Sequence, residues 1–191
     1  MADETWTVRI DGASRGNPGA AAYAVVIERP GQPDYEEADC LGETTNNVAE
    51  YTALLKALER AEELGGRNLM IFSDSELLVK QMNGEYRVKS DDLKPLYAEA
   101  TERLKAFHRV TIRHVRRDQN ARADALGNAA LDGQPLRPNG ASAALDFREQ
   151  GLDCLRRAAV SWARGDTRKP TPEEVWEELS RIFQRAGMPP R

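Results

Sequence analysis

Four acidic residues lie where the surrounding sequence predicts a junction or a buried face of the fold. They are Asp11, Glu50, Asp74 and Asp124. No cluster of Cys or His accompanies them, and hard carboxylate oxygens select Mg²⁺ or Mn²⁺ over zinc. Two such ions about 3.5–4 Å apart can stabilise both the attacking and the leaving oxygen of a phosphoryl displacement. The sequence therefore predicts a carboxylate metal site for phosphoryl transfer, with Mg²⁺ as its metal and Mn²⁺ as a substitute.

Three strands are predicted before any helix. Apolar and polar residues alternate over 5–11, which is typical of a half-buried strand and turns Asp11 to the face opposite Ile10. The sequence GASRGNPG then predicts a tight turn. Further strands over 21–28 and 35–41, separated by a turn at 30–33, complete a predicted antiparallel meander.

Helices and strands alternate over the next 90 or so residues, as is typical of an α/β fold. Apolar residues recur at helical spacing over 46–64, and Glu50 begins the stripe that faces the sheet. Asp74 follows a short apolar strand over 69–73, a common ligand position, although an Asp before a helix is also a common cap. Asp124 lies on the last helix of this region. The other predicted elements are helices over 75–82, 93–107 and 120–131 and a strand over 109–115.

Charge is unevenly distributed along this chain of 191 residues and net charge −4. Residues 1–100 carry 10 basic and 19 acidic side chains, whereas residues 101–131 carry 7 and 3. The basic residues surround Asp124, where contacts to a phosphate backbone would be needed. The alternative interpretation of this basic segment is an ordinary solvated face.

Composition and cysteine usage predict a cytoplasmic protein. Cys40 and Cys154 are far apart in the sequence and indicate neither a disulfide framework nor a metal knuckle. No leader and no apolar run of about 20 residues is present, so secretion and membrane insertion are not expected.

The length allows one full domain and a small appendage. We predict a domain over 1–131, a linker rich in Gly, Pro, Asn and Ser over 132–142, and a helical extension over 143–191. The extension contains two predicted helices, 143–163 and 172–186, the second with a capping box at its start and an apolar stripe. We expect these helices to pack on the domain, on a protein partner or on a second copy of the chain. The stripe consists of Val175, Trp176, Leu179, Ile182 and Phe183.

Four stretches together resemble the type 1 ribonuclease H family in its short form. In chain order they are TVRIDGASRGNPGAAAYAVVI, TTNNVAEYTALLKALERA, MIFSDSELLVKQM and HVRRDQNARADALGNAA, and they cover residues 7–131. The resemblance implies the ribonuclease H-like fold, an α/β fold with a five-stranded mixed sheet of three antiparallel strands and then parallel additions, flanked by helices. It also implies that the four carboxylates bind two Mg²⁺ ions and that the RNA strand of an RNA/DNA hybrid is hydrolysed, leaving a 5′-phosphate and a 3′-hydroxyl.

Residues that bind the substrate are also implied by this resemblance. Ser14, Gly16, Asn17 and Glu76 would contact the RNA strand, and Glu50 can also meet a ribose hydroxyl. Thr45 matches a threonine that binds DNA phosphate, and Asn46 and Asn47 match contacts in the minor groove. Arg116 and Arg117 are candidate phosphate contacts. The structural alternative is that Asn17-Pro18-Gly19 only forms a turn and that Thr45 or Asn46 only caps a helix.

The sequence departs from longer family members in two places. These members carry a basic helical protrusion, whereas here only NGEYRVKSDD lies at that point, with Arg87 and Lys89 as its cations. They also carry a mobile histidine before the last aspartate, and the loop 116–120 has none. His114 is a candidate substitute and His108 a weaker one, but a histidine on a strand is more often a packed residue.

Two other functions are compatible with the sequence. One keeps the fold and the metals but acts on DNA junctions or single strands. The other is a hybrid-binding adaptor whose acidic site is vestigial and whose extension recruits a partner. The presence of all four acids favours an enzyme over an adaptor.

Overall fold

The computed structural model describes residues 4–133, 154–155 and 170–185. The chain divides into two compact units, Met1–Arg137 and Pro138–Arg191. The first unit contains a five-stranded mixed sheet in the order β3-β2-β1-β4-β5, so the α/β fold expected from the sequence is confirmed. The strands are β1 (Thr5–Gly16), β2 (Gly19–Glu28), β3 (Tyr35–Thr44), β4 (Asn68–Ser73) and β5 (Arg109–His114).

The first three strands are antiparallel neighbours, whereas β4 pairs in parallel with both β1 and β5. This arrangement makes β1 the central strand, hydrogen-bonded on both sides. The helices of this unit are α1 (Asn46–Glu63), α2 (Glu76–Met82), α3 (Leu93–Leu104) and α4 (Ala121–Leu131), with a 3₁₀ turn at Arg117–Gln119.

Helices cover both faces of the sheet. Side chains alternate along a strand, so Gly12 and Ala13 point to opposite faces. A Cβ atom on Gly12 would contact α1, whereas a Cβ atom on Gly127 of α4 would lie 3.6 Å from that of Ala13. The core consists of apolar side chains between these layers. Its largest fully buried members include Val8, Ile10, Val25, Val26, Ile27, Leu54, Leu58, Leu69 and Ile71.

Several predicted boundaries are wrong. The stretch GASRG was expected to be part of a turn, but β1 continues through it and pairs with β2 as far as Gly16 opposite Gly19. Small residues on both strands allow this pairing, so Asn17-Pro18 alone forms the connection. Strand β3 likewise runs on to Thr44, with an irregular register at Ala21 and Ala22 of its partner.

Helix boundaries also differ from the prediction. Helix α3 ends at Leu104, three residues before the predicted end. Ser75 and Asn120, which were expected to be helical, are the N-caps of α2 and α4. The hydroxyl of Ser75 accepts a hydrogen bond from the main-chain N–H of Leu78 at 3.3 Å. The capping role that was the alternative for Asp74 therefore belongs to its neighbour.

The described part of the second unit contains helix α5 (Pro172–Arg185). The predicted capping box is confirmed, because the Thr171 hydroxyl accepts the Glu174 N–H at 3.2 Å and the Glu174 carboxylate accepts the Thr171 N–H at 2.8 Å. Val175 is buried, whereas Trp176 is 55% exposed. The side chains of Ile182 and Phe183, almost all of the predicted helix over 143–163 and all but the first two residues of the linker over 132–142 lie outside the described residues. No helix in the described ranges is long and apolar enough to cross a membrane.

Candidate active site

Three carboxylates from distant parts of the sequence meet in one pocket. Single oxygen atoms of Asp11, Glu50 and Asp74 all lie within 4.8 Å of one another. Asp11 and Glu50 are each only 4% exposed, and Asp74 is half-buried. These side chains lie at the floor of a cavity of about 250 Å³, which we call the acidic pocket. Its lining also includes Ser14, Arg15, Asn46, Ser75, Arg117 and Asn128.

Glycine 12 allows the approach of Glu50 to Asp11. A Cβ atom at Gly12 would lie 2.2 Å from the main-chain nitrogen of Glu50, far inside van der Waals contact. Helix α1 can therefore pack directly against the backbone of β1 only because this residue has no side chain. The backbone N–H of Gly12 also donates a hydrogen bond to the Glu50 carboxylate. The contact places the second acidic residue beside the first.

The starts of helices α2 and α4 fix the positions of Asp74 and Asp124. Asp74 lies between the end of β4 and the Ser75 cap, and the Ser73 hydroxyl accepts the Ser75 N–H at 3.0 Å. Asp124 lies in the first turn of α4, where its main-chain N–H donates to the Asn120 carbonyl at 3.1 Å. Both acids therefore stand at the beginning of a helix, on a short hydrogen-bonded turn.

The carboxylate of Asp124 is outside the group of three. It forms an ion pair with the guanidinium of Arg117, which also lines the acidic pocket. Its charge nevertheless acts on Asp11. Of the four acids singled out in the sequence, the structure thus brings three together and pairs the fourth, Asp124, with the guanidinium of Arg117.

Burial and mutual repulsion disfavour the charged forms of the clustered acids. Burial, followed by the charges of Asp74 and Asp124, raises the pKa of Asp11 from 3.8 to about 7. Burial and the charges of Asp11 and Asp74 also raise the pKa of Glu50 well above its usual value. Within the described residues, the Oε2 atom of Glu50 is buried without a hydrogen-bond partner. An all-oxygen donor set with an unpartnered buried carboxylate oxygen fits a hard divalent cation such as Mg²⁺ or Mn²⁺.

Three of the predicted substrate-binding residues form a connected rim beside the acids. The Ser14 hydroxyl donates to the Asn46 side-chain oxygen at 3.4 Å, and the Asn17 side-chain oxygen accepts the Asn46 main-chain N–H at 3.3 Å. The Thr45 hydroxyl accepts the Val48 N–H at 3.3 Å, so Thr45 is the N-cap of α1, and its contact with DNA phosphate stays a prediction. Gly16 has a φ of 119°, which favours glycine at the turn that carries Asn17.

The remaining predicted contacts lie at the surface. Glu76 forms an ion pair with Lys80 at 2.6 Å, and Arg116 forms one with Asp118 at 3.6 Å. Asn47 is half-buried. His114, the candidate substitute for the mobile histidine, is exposed at the end of β5 and is not part of the lining of the acidic pocket.

Asn120 is a residue of the site that sequence reasoning missed. It was expected only as the first residue of a helix, yet its side chain is fully buried and donates to the Ile10 carbonyl at 2.8 Å and to the Asp74 carboxylate at 3.4 Å. An Asn before a helix is a common cap, so its residue type alone gave no signal of this role.

Comparison with known proteins assigns the chain to a family. A family model described as reverse transcriptase-like matches residues 9–130, which is more than half of the chain. Ribonuclease HI of Halobacterium salinarum is 45% identical over 123 residues, or 64% of this chain and 62% of the relative. The chain belongs to the type 1 ribonuclease H family.

Solved structures of ribonuclease H proteins share this fold. The crystal structure of RNase H1 from Halobacterium salinarum has a TM-score of 0.65 and 41% identity, and the match covers 68% of this chain and 99% of that one. LC11-RNase H1, solved in complex with an RNA/DNA hybrid, has a TM-score of 0.63 and 39% identity, covering 67% and 97%.

The chain spans only part of some ribonuclease H relatives. It covers 35% of the length of a bifunctional protein of Mycobacterium tuberculosis, to which it is 39% identical over 127 residues. As stated above, it covers 62% of the Halobacterium salinarum relative. The match to the family model falls in the first unit, because it ends at residue 130.

Proposed function

We propose that this chain is an endoribonuclease that hydrolyses the RNA strand of RNA/DNA hybrids, leaving a 5′-phosphate and a 3′-hydroxyl. The observation that carries the proposal is the convergence of Asp11, Glu50 and Asp74 within 4.8 Å in a ribonuclease H fold. The hybrid is proposed as substrate because LC11-RNase H1, 39% identical, was solved in complex with an RNA/DNA hybrid.

The acidic residues would hold two Mg²⁺ ions, with Mn²⁺ as a substitute. Asp11, Glu50 and Asp74 supply the clustered oxygens, and Asp124 would join them by exchanging Arg117 for a metal ion. Such ions supply positive charge at the attacking and leaving oxygens of a phosphodiester. The protein contributes rigid placement, since Gly12 and the caps at Ser75 and Asn120 fix the backbone that carries each acid.

The rim of the acidic pocket would orient the hybrid. An enzyme that selects hybrids must detect 2′-hydroxyls on one strand and their absence on the other. We assign Ser14, Gly16, Asn17 and Glu76 to the RNA strand. We assign Thr45, Asn46 and Asn47 to the DNA strand. Arg116 and the guanidinium of Arg117, once released from Asp124, would contact phosphates.

Cleavage assays on matched nucleic acids test this function. The purified chain with Mg²⁺ is incubated with a hybrid, an RNA duplex, a DNA duplex and single strands of one sequence. We expect cleavage of the RNA strand of the hybrid alone, with a 5′-phosphate on the product. Cutting of DNA would instead indicate a nuclease of other specificity, and calorimetry without any Mg²⁺ or Mn²⁺ binding would indicate an adaptor.

Truncation tests the proposed division of the chain. A chain that ends at Gly133 contains the whole sheet and α1–α4. Full activity of this variant would make residues 143–191 an accessory extension, and loss of activity would make them part of the substrate platform. Docking of the extension on a protein partner or a second copy, and a cytoplasmic location, stay predictions from the sequence.

A further inference from the structure

A single buried amide connects the three segments that carry Asp11, Asp74 and Asp124. The side chain of Asn120 is fully buried at the start of α4. Its Nδ2 atom donates to the main-chain carbonyl of Ile10 at 2.8 Å and to the Asp74 carboxylate at 3.4 Å. Its own main-chain carbonyl accepts the N–H of Asp124 at 3.1 Å.

The chemistry of an amide suits this position. Nδ2 carries two hydrogen atoms, and here it faces two acceptors, a carbonyl and a carboxylate. Because both partners only accept, the side-chain orientation follows from the hydrogen bonds. A carboxylate in place of the amide would add another negative charge beside acids that already repel one another.

The position is poorly explained by stability alone. Within the described residues, the Oδ1 atom of Asn120 is buried without a hydrogen-bond partner. A buried polar atom without a partner is costly, and an apolar side chain of similar size would avoid that cost. The amide is therefore best explained by the hydrogen bonds that its nitrogen donates to Asp74 and to the backbone before Asp11.

The turn that holds Asn120 is itself tied to the central strand. The guanidinium of Arg9 on β1 donates to the Gln119 carbonyl at 2.8 Å and lies 5.1 Å from the ring centre of Phe72 on β4. The main-chain N–H of Asn120 donates to the Arg117 carbonyl at 3.0 Å. These contacts therefore hold in place the turn that carries the Asn120 side chain.

We propose that Asn120 is a positioning residue for divalent-cation binding, which holds the Asp74 carboxylate and the backbone before Asp11 at the separation that the cation needs. This inference rests on the proposed function, because the proposed nuclease is what requires a bound divalent cation. Residues that orient metal ligands through hydrogen bonds typically change metal affinity about 10- to 100-fold when they are mutated.

The test compares two variants at this site with a matched control. Asn120→Leu keeps the branched shape of the side chain and removes both amide hydrogens, and Asn120→Ala removes the whole group. The control is Asn83→Ala, since the Asn83 amide also donates to a strand carbonyl, that of Ile112 at 3.4 Å, whereas only the Asn120 amide also donates to Asp74. Mn²⁺ binding to each full-length protein is measured by calorimetry. Cleavage of a hybrid is measured against Mg²⁺ concentration.

We expect both Asn120 variants to weaken Mn²⁺ binding at least about tenfold and to raise the Mg²⁺ concentration for half-maximal cleavage by a similar factor. The KM for hybrid at saturating Mg²⁺ should stay within about twofold, and Asn83→Ala should match the wild type in both metal measurements. Unchanged Mn²⁺ affinity in a folded Asn120 variant would overturn the proposal, and so would failure of both variants to fold. A wild-type protein that binds no Mn²⁺ would instead refute the proposed function.

Discussion

Carboxylates that are largely removed from solvent occur in two regions of the first unit, and the two regions differ in how many hydrogen-bond donors they supply. Glu37 on β3 accepts hydrogen bonds from the hydroxyls of Tyr23, at 2.5 Å, and Tyr35, and from the Nε atom of Arg60 at 2.7 Å. Burial alone would raise the pKa of Glu37, but these donors outweigh it and hold the pKa below its usual value. This carboxylate is charged and satisfied within the fold.

Glu50 is the opposite case. Burial and neighbouring carboxylates raise its pKa, and it receives a backbone hydrogen bond from Gly12. Its Oε2 atom has no hydrogen-bond partner among the described residues. The comparison teaches that a carboxylate placed for structure is surrounded by donors, whereas one placed for ligand binding keeps oxygen atoms available at a cost in stability.

The largest expected effect is on catalysis. Glu50→Gln removes one of the proposed metal ligands and should lower hybrid cleavage by roughly 10³-fold, as should Asp74→Asn. In EDTA at pH 8, Glu50→Gln should unfold at a higher denaturant concentration than the wild type, because it relieves repulsion with Asp11. Cleavage assays and urea unfolding check the two halves of this prediction. Wild-type activity in the purified Asp74→Asn protein would make the assignment of the site wrong.

Gly12→Ala should damage both the site and the fold. The added Cβ atom would lie 2.2 Å from the backbone of Glu50, which cannot rotate away, so we expect a loss of about 3 kcal/mol in the free energy of unfolding. The control is Gly31→Ala, where a Cβ atom meets nothing within 4 Å and the φ of 70° alone should cost about 1 kcal/mol. Urea unfolding of both variants measures the difference. Equal losses would show that α1 does not depend on this contact.

Glu37→Gln should affect stability while activity is retained. The change removes the ion pair of Glu37 with the guanidinium of Arg60, whose side chain is 12% exposed, and leaves the ion pair of Arg60 with Glu63. We expect a loss of about 2 kcal/mol, less than for an isolated buried ion pair because Glu63 is retained. Hybrid cleavage at 25 °C should stay within about twofold of the wild type. A large loss of cleavage would contradict a purely structural role of Glu37.

The smallest expected effect is the pH dependence of stability in the metal-free protein. The folded-state pKa of Asp11 is raised from 3.8 to about 7, so the folded protein binds more protons in this range. The contribution of Asp11 to the free energy of unfolding is therefore fully present below about pH 4 and is lost as the pH rises to about 7. Between pH 5.5 and 8 we expect the free energy of unfolding to fall by about 1 to 2 kcal/mol in EDTA.

The charge of Glu37 does not contribute to that change, because its lowered pKa affects stability only below its usual range. Asp11→Asn is the matched variant and should weaken the pH dependence, leaving the part that comes from the raised pKa of Glu50, and saturating Mg²⁺ should weaken it in the wild type. Urea unfolding at the two pH values provides the measurement. A stability that rises with pH in EDTA would contradict the raised pKa of Asp11.

Local periodicity predicted the order and type of the described elements in the first unit and some of their ends, such as those of β2 and α4, but not the ends of β1, β3 and α3. The extension of β1 through GASRG depends on pairing with β2, which no local pattern encodes. Predicted junctions and buried faces singled out Asp11, Glu50, Asp74 and Asp124, and the resemblance implied their roles because each motif is contiguous in the sequence. The pairing of Arg117 with Asp124 and the bridge from Asn120 to Ile10 join residues whose distances follow only from tertiary packing, so the sequence could not indicate them.

The double-sided pairing of β1 limits which insertions and deletions the chain can tolerate. Inserting one residue before Asp11 would reverse the faces of every side chain that follows, and would turn the aspartate toward α1 at the point where backbones nearly touch. The connection at 30–33 between β2 and β3 has no such restriction, since Gly31 meets open space. Length variation among natural relatives should therefore concentrate in that hairpin and spare the central strand.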